Sequence, residues 1–207
     1  MNGGTALSIA GDDFAVLAAD TRMSAGFNIL SRNQTKIVRL TEKCLLASCG
    51  CKTDADTLHK MLRARLTMYH HQHGKEASTP AIAQMLSNIL YYKRFFPYYT
   101  FNLLSGVDEH GRGCVYTYDA IGSYERVYSS AQGSGQSLMM PVLDNQVYGK
   151  NMQTGKPTLS QGEVVDLIKD VFSSATERDI YTGDGLEIMV VDKHGINVLE
   201  TLELRRD

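Results

Sequence analysis

Short apolar runs broken by turn residues open the chain: TALSIA (5–10), FAVLAAD (14–20), TKIVRL (35–40) and CLLASCG (44–50). Gly11, Asp12 and Asp13 form a tight hairpin between the first two, and Thr41, Glu42 and Lys43 link the last two, which predicts four antiparallel strands. Apolar residues follow one another without alternation in FAVLA and CLLA, the mark of strands covered on both faces. From Thr53 the period becomes helical. Leu58, Met61, Leu62, Leu66 and Tyr69 fall on one stripe, with Thr53 or Asp54 as the expected cap and an end near Gly74. A second helix is expected from Ser78-Thr79-Pro80, carrying Ile82, Met85, Leu86, Ile89 and Leu90.

The strand period then returns in FNLLSGVD (101–108), GCVYTYD (113–119) and ERVYSSA (125–131). A helix-like stretch follows Gly133-Ser134-Gly135 and stops near Gly149; another starts at Ser160, where Ser160 and Glu163 have capping-box spacing. LEIMVVD (186–192) and INVLETLEL (196–204) predict the closing strands. Doubly covered strands alternating with helix pairs imply an α+β fold, a four-layer αββα sandwich of two antiparallel sheets between helix pairs. No repeat, linker or low-complexity stretch divides residues 1–207, so one domain is expected.

Composition narrows the function classes. Hydrophobic residues make up 43% and charged ones 21%, ordinary for an ordered globular protein. A formal charge of −2 supplies no field to gather nucleic acid or anionic lipid, and no basic stripe with interleaved aromatics occurs. No window approaches a membrane span, and MNGGTALS lacks the parts of a secretory signal, so cytoplasm and nucleus are the expected locations. Cys44, Cys49, Cys51 and Cys114 read as small thiols in a reducing compartment, and their spacing does not suit zinc. His70, His71 and His73 lack ligands from a second segment and read as an exposed helix end; neither a metal nor a cofactor is expected. The aromatic run Tyr91, Tyr92, Phe95, Phe96, Tyr98 and Tyr99 is too dense for one helix face to bury, which points to contact with a neighbouring chain.

Candidate chemistry starts at Thr5. A terminal threonine acts as a nucleophile when its own amine or a nearby lysine takes the hydroxyl proton and a carboxylate holds the lysine. Asp20 and Lys36 are the right types on neighbouring expected strands, and Ser134 and Asp179 are polar groups able to complete such a site. Each also has a plainer role: Asp20 in a turn or ion pair, Lys36 at a solvated edge, Gly50 at a close backbone approach, Gly133-Ser134-Gly135 as a helix cap, Asp179 in a turn.

AADTR (18–22), TKIVRL (35–40), SCGCKTDAD (48–56), GSG (133–135) and ERDIYTGD (177–184), in this order, resemble the β-type subunits of the proteasome core particle, from residue 3 to the end of the chain. The resemblance implies the N-terminal nucleophile hydrolase fold. KRFFPYY (93–99), PVLDNQV (141–147) and GSYERV (122–127) look most like a non-catalytic member at the sixth position of the β ring. Gly4, Thr5, Asp20, Lys36, Gly50, Ser134, Asp179 and Thr182 fall at positions matching the family's active site. In catalytic relatives the aspartate follows the threonine by sixteen residues and the lysine follows by sixteen more. Asp20 to Lys36 is sixteen, but Thr5 to Asp20 is fifteen, so Gly4 matches the nucleophile. On a strand that offset turns Thr5 to the opposite face unless a bulge corrects it.

The resemblance therefore implies a structural, non-catalytic subunit and no enzyme: no residue is catalytic, and the matched positions are remnants. As partners it implies other β-type and α-type subunits in stacked heptameric rings and polypeptide substrates in the chamber, within ATP- and ubiquitin-dependent degradation, with no nucleic acid and no membrane. The alternative is an active threonine peptidase with Thr5 as nucleophile once residues 1–4 are removed. Gly4-Thr5 is the dipeptide at which active members are cut, but with residues 1–4 attached Thr5 has only a peptide nitrogen. A homomeric bacterial relative fits less well, given FFPYY, PVLDNQV and the segment after Leu186.

Overall fold

A computed structural model describes residues 2–153, 155, 157–199 and 201–207. Strands β1 (Thr5–Ala10) and β2 (Phe14–Asp20) form the first hairpin, closed by Gly11 N–H donating to Phe14 O at 2.8 Å. A short hairpin follows, β3 (Met23–Ala25) and β4 (Asn28–Ser31), which periodicity misses because its seven strand residues are too few to show a period. β5 (Ile37–Thr41) and β6 (Cys44–Gly50) lead into α1 (Lys52–His73) and α2 (Thr79–Tyr92). Then come β7 (Thr100–Val107), β8 (Gly113–Tyr118), β9 (Tyr124–Val127) and β10 (Ser129–Gly133), and helices α3 (Gln136–Gln146) and α4 (Gln161–Thr176). β11 (Gly185–Asp192), β12 (Gly195–Val198) and β13 (Leu202–Glu203) close the chain.

The four expected layers are present. One sheet has the order β10-β1-β2-β11-β12, with β13 also pairing β11, and the other has the order β5-β6-β7-β8-β9. Three apolar clusters fill the three spaces between layers. Leu7, Val16, Ile188 and Val190 meet Leu143, Ile168 and Phe172 of α3 and α4; Leu46, Leu104 and Cys114 meet Leu58, Leu62, Ile82 and Leu86 of α1 and α2; and Leu17, Leu45, Leu103 and Val115 pack between the sheets. Consecutive residues of β2 and β6 serve opposite clusters, which is why their sequences do not alternate.

Several boundaries differ from the sequence reading. The run 125–131 is two strands in different sheets: Val127 pairs with Val115, whereas Ser129 pairs with Ile9, and the chain crosses between layers at Tyr128. The expected strand 196–204 splits into β12 and β13, with position 200 outside the described residues. α1 is preceded by Cys51, which gives no side-chain cap, so neither Thr53 nor Asp54 is the cap; the Asp54 carboxylate accepts the Tyr99 amide at 2.9 Å instead. At α4 the capping box is present, Ser160 accepting from the Glu163 amide and Glu163 accepting from the Ser160 amide.

One polar network bridges the α1 layer and the sheet beneath it. Ser48 Oγ donates to Asn102 Oδ1 at 2.7 Å, so the His59 Nε2–H must donate to Ser48, also at 2.7 Å. Burial lowers the His59 pKa from 6.5 to about 4. The unfolded imidazole therefore takes up its proton first on acidification, and stability falls as pH drops from 6.5 towards 4. Replacing it, His59→Gln, should reduce the loss over that window by about 2 kcal/mol, allowing for partial exposure, as read from urea midpoints at several pH values.

Candidate functional site

β1, β2, β5 and the turn after α4 converge on Gly4. Asp20, at the end of β2, is wholly buried: its Oδ1 accepts the Thr5 amide at 2.8 Å and lies 3.0 Å from Lys36 Nζ, while its Oδ2 accepts the Gly183 amide at 3.2 Å. Lys36 Nζ also donates to the main-chain carbonyls of Asp20 (2.9 Å) and Arg22 (2.7 Å). Burial raises the Asp20 pKa, against the pull of Lys36 and the two amides. The ammonium is thus held by three oxygens and aimed at Gly4. A methyl group built on Gly4 would meet Lys36 Cε, stand 2.6 Å from Nζ and lie 3.0 Å from Asp20 Oδ1. Its φ of +86° also favours glycine.

Thr5 faces the other way. Its Oγ1 accepts from the Gly135 amide at 2.8 Å and lies 2.7 Å from Thr182 Oγ1. Thr182 gives its single hydroxyl proton to Asp179 Oδ2 at 2.6 Å, so the Thr5 hydroxyl is the donor to Thr182. Ser134 Oγ donates to the same Asp179 oxygen at 2.6 Å, and the Ser134 amide donates to Gly4 O at 3.0 Å. Two polar groups meet at this corner: Asp20 and Lys36 beside Gly4, and Ser134, Asp179 and Thr182 beside Thr5. Gly50 lines a cleft here together with Gly4 and Ser134; its φ is +113°, and Tyr99 O lies 2.5 Å from where a Cβ would sit.

That cleft encloses about 450 Å³ and is walled by Tyr99, Phe101 and Tyr181, with Gly3, Gly4 and Gly50 as its floor. Asn2, next in sequence to Gly3 of that floor, bonds to two neighbouring segments. Its amide donates to Gly50 O at 3.0 Å, its carbonyl accepts the Ser24 amide at 3.1 Å, and its side chain donates to Ser24 O and accepts the Lys52 amide at 2.9 Å. The sequence reading assigned no role to Asn2, Ser24 or Tyr181, because a single asparagine and a three-residue strand carry no pattern of their own.

The sequence model of the family described as "Proteasome subunit" matches residues 1–191. The chain belongs to the proteasome subunit family. It is 57% identical over 211 residues to a proteasome subunit beta type-1 of Oryza sativa subsp. japonica, covering 100% of this chain and 95% of the relative. The corresponding figures are 55% identity over 209 residues, with 100% and 88% covered, for the beta type-1 subunit of Dictyostelium discoideum. For the subunit named beta type-6 of Saccharomyces cerevisiae they are 44% over 216 residues, with 100% and 89% covered. The family expected from the motifs is thus shown, together with its fold.

These relatives correct one expectation. The relatives of Oryza sativa subsp. japonica, Petunia hybrida and Arabidopsis thaliana are named beta type-1 subunits, and nothing in that name marks a non-catalytic member or sets them apart from peptidase subunits. The assignment of this proteasome subunit as non-catalytic and as no enzyme is withdrawn, and the threonine-peptidase alternative stays open.

Of the other residues singled out in the sequence, Tyr99 walls the cleft. His73 stacks on Tyr69 at 4.1 Å, and His70, His71 and His73 end α1 at the surface or close to it. Tyr92, Phe95 and Phe96 are more than four-fifths exposed, whereas Tyr98 is buried and Tyr99 packs edge-on against Phe101. Burial pushes the Cys49 thiol up to about 12 and Cys114 up to about 11, and raises Cys44 as well. Cys51, partly exposed before α1, is lowered by hydrogen bonds from the Thr53 hydroxyl and the Asp54 amide. Iodoacetamide should therefore alkylate Cys51 at least about tenfold faster than the other three thiols, as followed by peptide mass mapping of the folded protein.

Proposed function

We propose that this chain is a single-domain β-type subunit of a proteasome core, in the cytoplasm and nucleus, assembled with other β-type and α-type subunits in stacked heptameric rings. Within protein degradation its cleft receives extended polypeptide. The form of the cleft carries this reading: about 450 Å³ walled by Tyr99, Phe101 and Tyr181 over a floor of Gly3, Gly4 and Gly50, glycines that place no side chain between the floor and an incoming backbone. In an assembled particle, an unfolded substrate carrying a benzophenone group should crosslink to peptides containing Tyr99–Phe101 and Tyr181. Crosslinks confined to the neighbouring subunits would overturn the proposal.

A second reading, the threonine peptidase with residues 1–4 removed, is favoured by the contact of the Thr5 nitrogen with Asp20 Oδ1 at 2.8 Å, where a free amine would be ion-paired. It requires the Thr5 hydroxyl to leave Thr182 and Gly135. Amino-terminal sequencing of the native subunit, with a peptide epoxyketone as probe, decides it. A free, labelled Thr5 supports the peptidase; residues ahead of Thr5 and no label exclude it.

A further inference from the structure

Between α1 and the outer strand β5 runs a second groove, of about 660 Å³, distinct from the cleft at Gly4. Val38, Ala55 and Met189 line it, with Arg39, Lys60 and Arg63 exposed along it. Lys60 and Arg63 stand three residues apart on α1, hence on one helix face, and Arg63 Nη2 reaches across to Arg39 O at 3.4 Å. The two nearby carboxylates are engaged: Asp56 pairs with Lys52, and Glu187 Oε2 accepts the Thr35 hydroxyl at 2.6 Å. Among the described residues none of Arg39, Lys60 and Arg63 has an ion-pair partner, whereas Arg112, Arg126, Arg205 and Arg206 each meet a carboxylate.

We propose that this groove docks an acidic segment of a partner polypeptide, whose carboxylates pair with Arg39, Lys60 and Arg63 over the apolar floor. The space is far larger than one inorganic anion fills, and an apolar floor beneath a charged rim is the anatomy of a protein interface. Strand addition is not the mode. The Thr35 hydroxyl already meets the Ile37 amide at 3.2 Å, and Arg63 covers the Arg39 carbonyl, so the outer edge of β5 is occupied along its start. Recognition rests on charge.

The test is fluorescence anisotropy of the full chain with a labelled Glu-rich peptide, against a Gln-rich peptide of equal length. The acidic peptide should bind and the neutral one should not, and binding should weaken as ionic strength rises. Reversing all three charges, Arg39→Glu, Lys60→Glu and Arg63→Glu, should weaken the acidic peptide at least about tenfold and create binding of a Lys-rich peptide. All three positions are exposed; should the triple variant fail to fold, Lys60→Glu alone and the salt series on the unaltered chain decide the matter. No binding of the Glu-rich peptide, equal affinity for the variant, or binding of inorganic pyrophosphate alone would overturn the proposal. The Gly4 cleft does not enter this test, and its own crosslinking result stands apart.

Discussion

Replacing Asp184 by alanine is expected to destabilise the protein by about 3–5 kcal/mol, the cost of leaving a buried charge without its partner. Arg22 and Asp184 are 3% and 2% exposed, and the guanidinium meets both carboxylate oxygens, Nε at 2.7 Å and Nη2 at 3.2 Å. Arg32 Nη1 adds a third contact at 2.5 Å. Burial would raise the Asp184 pKa, but the hydrogen bonds from Arg22 and Arg32 outweigh it and hold the carboxyl below its usual range. A depressed carboxylate stabilises the fold at neutral pH, and that contribution is lost as pH falls through the folded pKa. The same cluster holds the segment after β13: the Asp184 amide donates to Arg205 O at 2.9 Å, Leu204 N–H donates to Asp184 O at 3.1 Å, and Arg32 donates to Arg206 O at 2.6 Å. Asp184 has φ +69°, which asparagine adopts more readily than alanine. Asp184→Asn should therefore cost less than Asp184→Ala by roughly 1 kcal/mol. Urea midpoints give the two costs, and faster amide exchange at residues 202–206 would show the segment released. A loss below about 1 kcal/mol in Asp184→Ala would mean that water reaches Arg22.

How much of this was legible depended on element length. β2, β6 and α4 carry enough apolar positions to declare their periods, and the unbroken apolar runs of FAVLA and CLLA foretold a sheet covered on both faces. Ser160 and Glu163 marked a helix start because both partners of the box lie in sequence. The corner at Gly4 was legible only as spacing: the fifteen-residue offset between Thr5 and Asp20 turns the Thr5 hydroxyl to the face opposite Asp20, towards Gly135 and Thr182. What stayed hidden was interaction between distant segments through single residues. Asn2 caps α1 from fifty residues away, Asp184 gathers Arg22 and Arg32 from the other end of the chain, and Tyr128 passes between sheets inside the single expected strand 125–131. Periodicity carries no information about such contacts, because each depends on which elements the topology brings together.

Lys36→Met should cost about 3–5 kcal/mol near neutral pH, for a reason that also makes the cost depend on pH. Lys36 is 8% exposed and Asp20 not at all. Without the ammonium, Asp20 keeps the Thr5 and Gly183 amides but loses its countercharge, and burial, already the largest influence on its pKa, lifts it further. A carboxyl whose folded pKa exceeds its unfolded value binds its proton first in the folded state, so the variant should regain stability as pH falls through that folded pKa. The gain ends near the unfolded value of 3.8. Asp20→Asn should be milder, at about 1–2 kcal/mol, because Lys36 still donates to the carbonyls of residues 20 and 22, while the new amide nitrogen faces the Gly183 N–H. The double variant Asp20→Leu with Lys36→Met should lie closer to the unaltered protein than either charged-partner deletion alone, since no buried charge remains. Additive losses across that cycle would mean that the two charges do not stabilise each other. Strong coupling would mean that the ammonium is fixed beside Gly4 by Asp20 rather than by the carbonyls, and Asp20→Asn would then release it from its place beside Gly4.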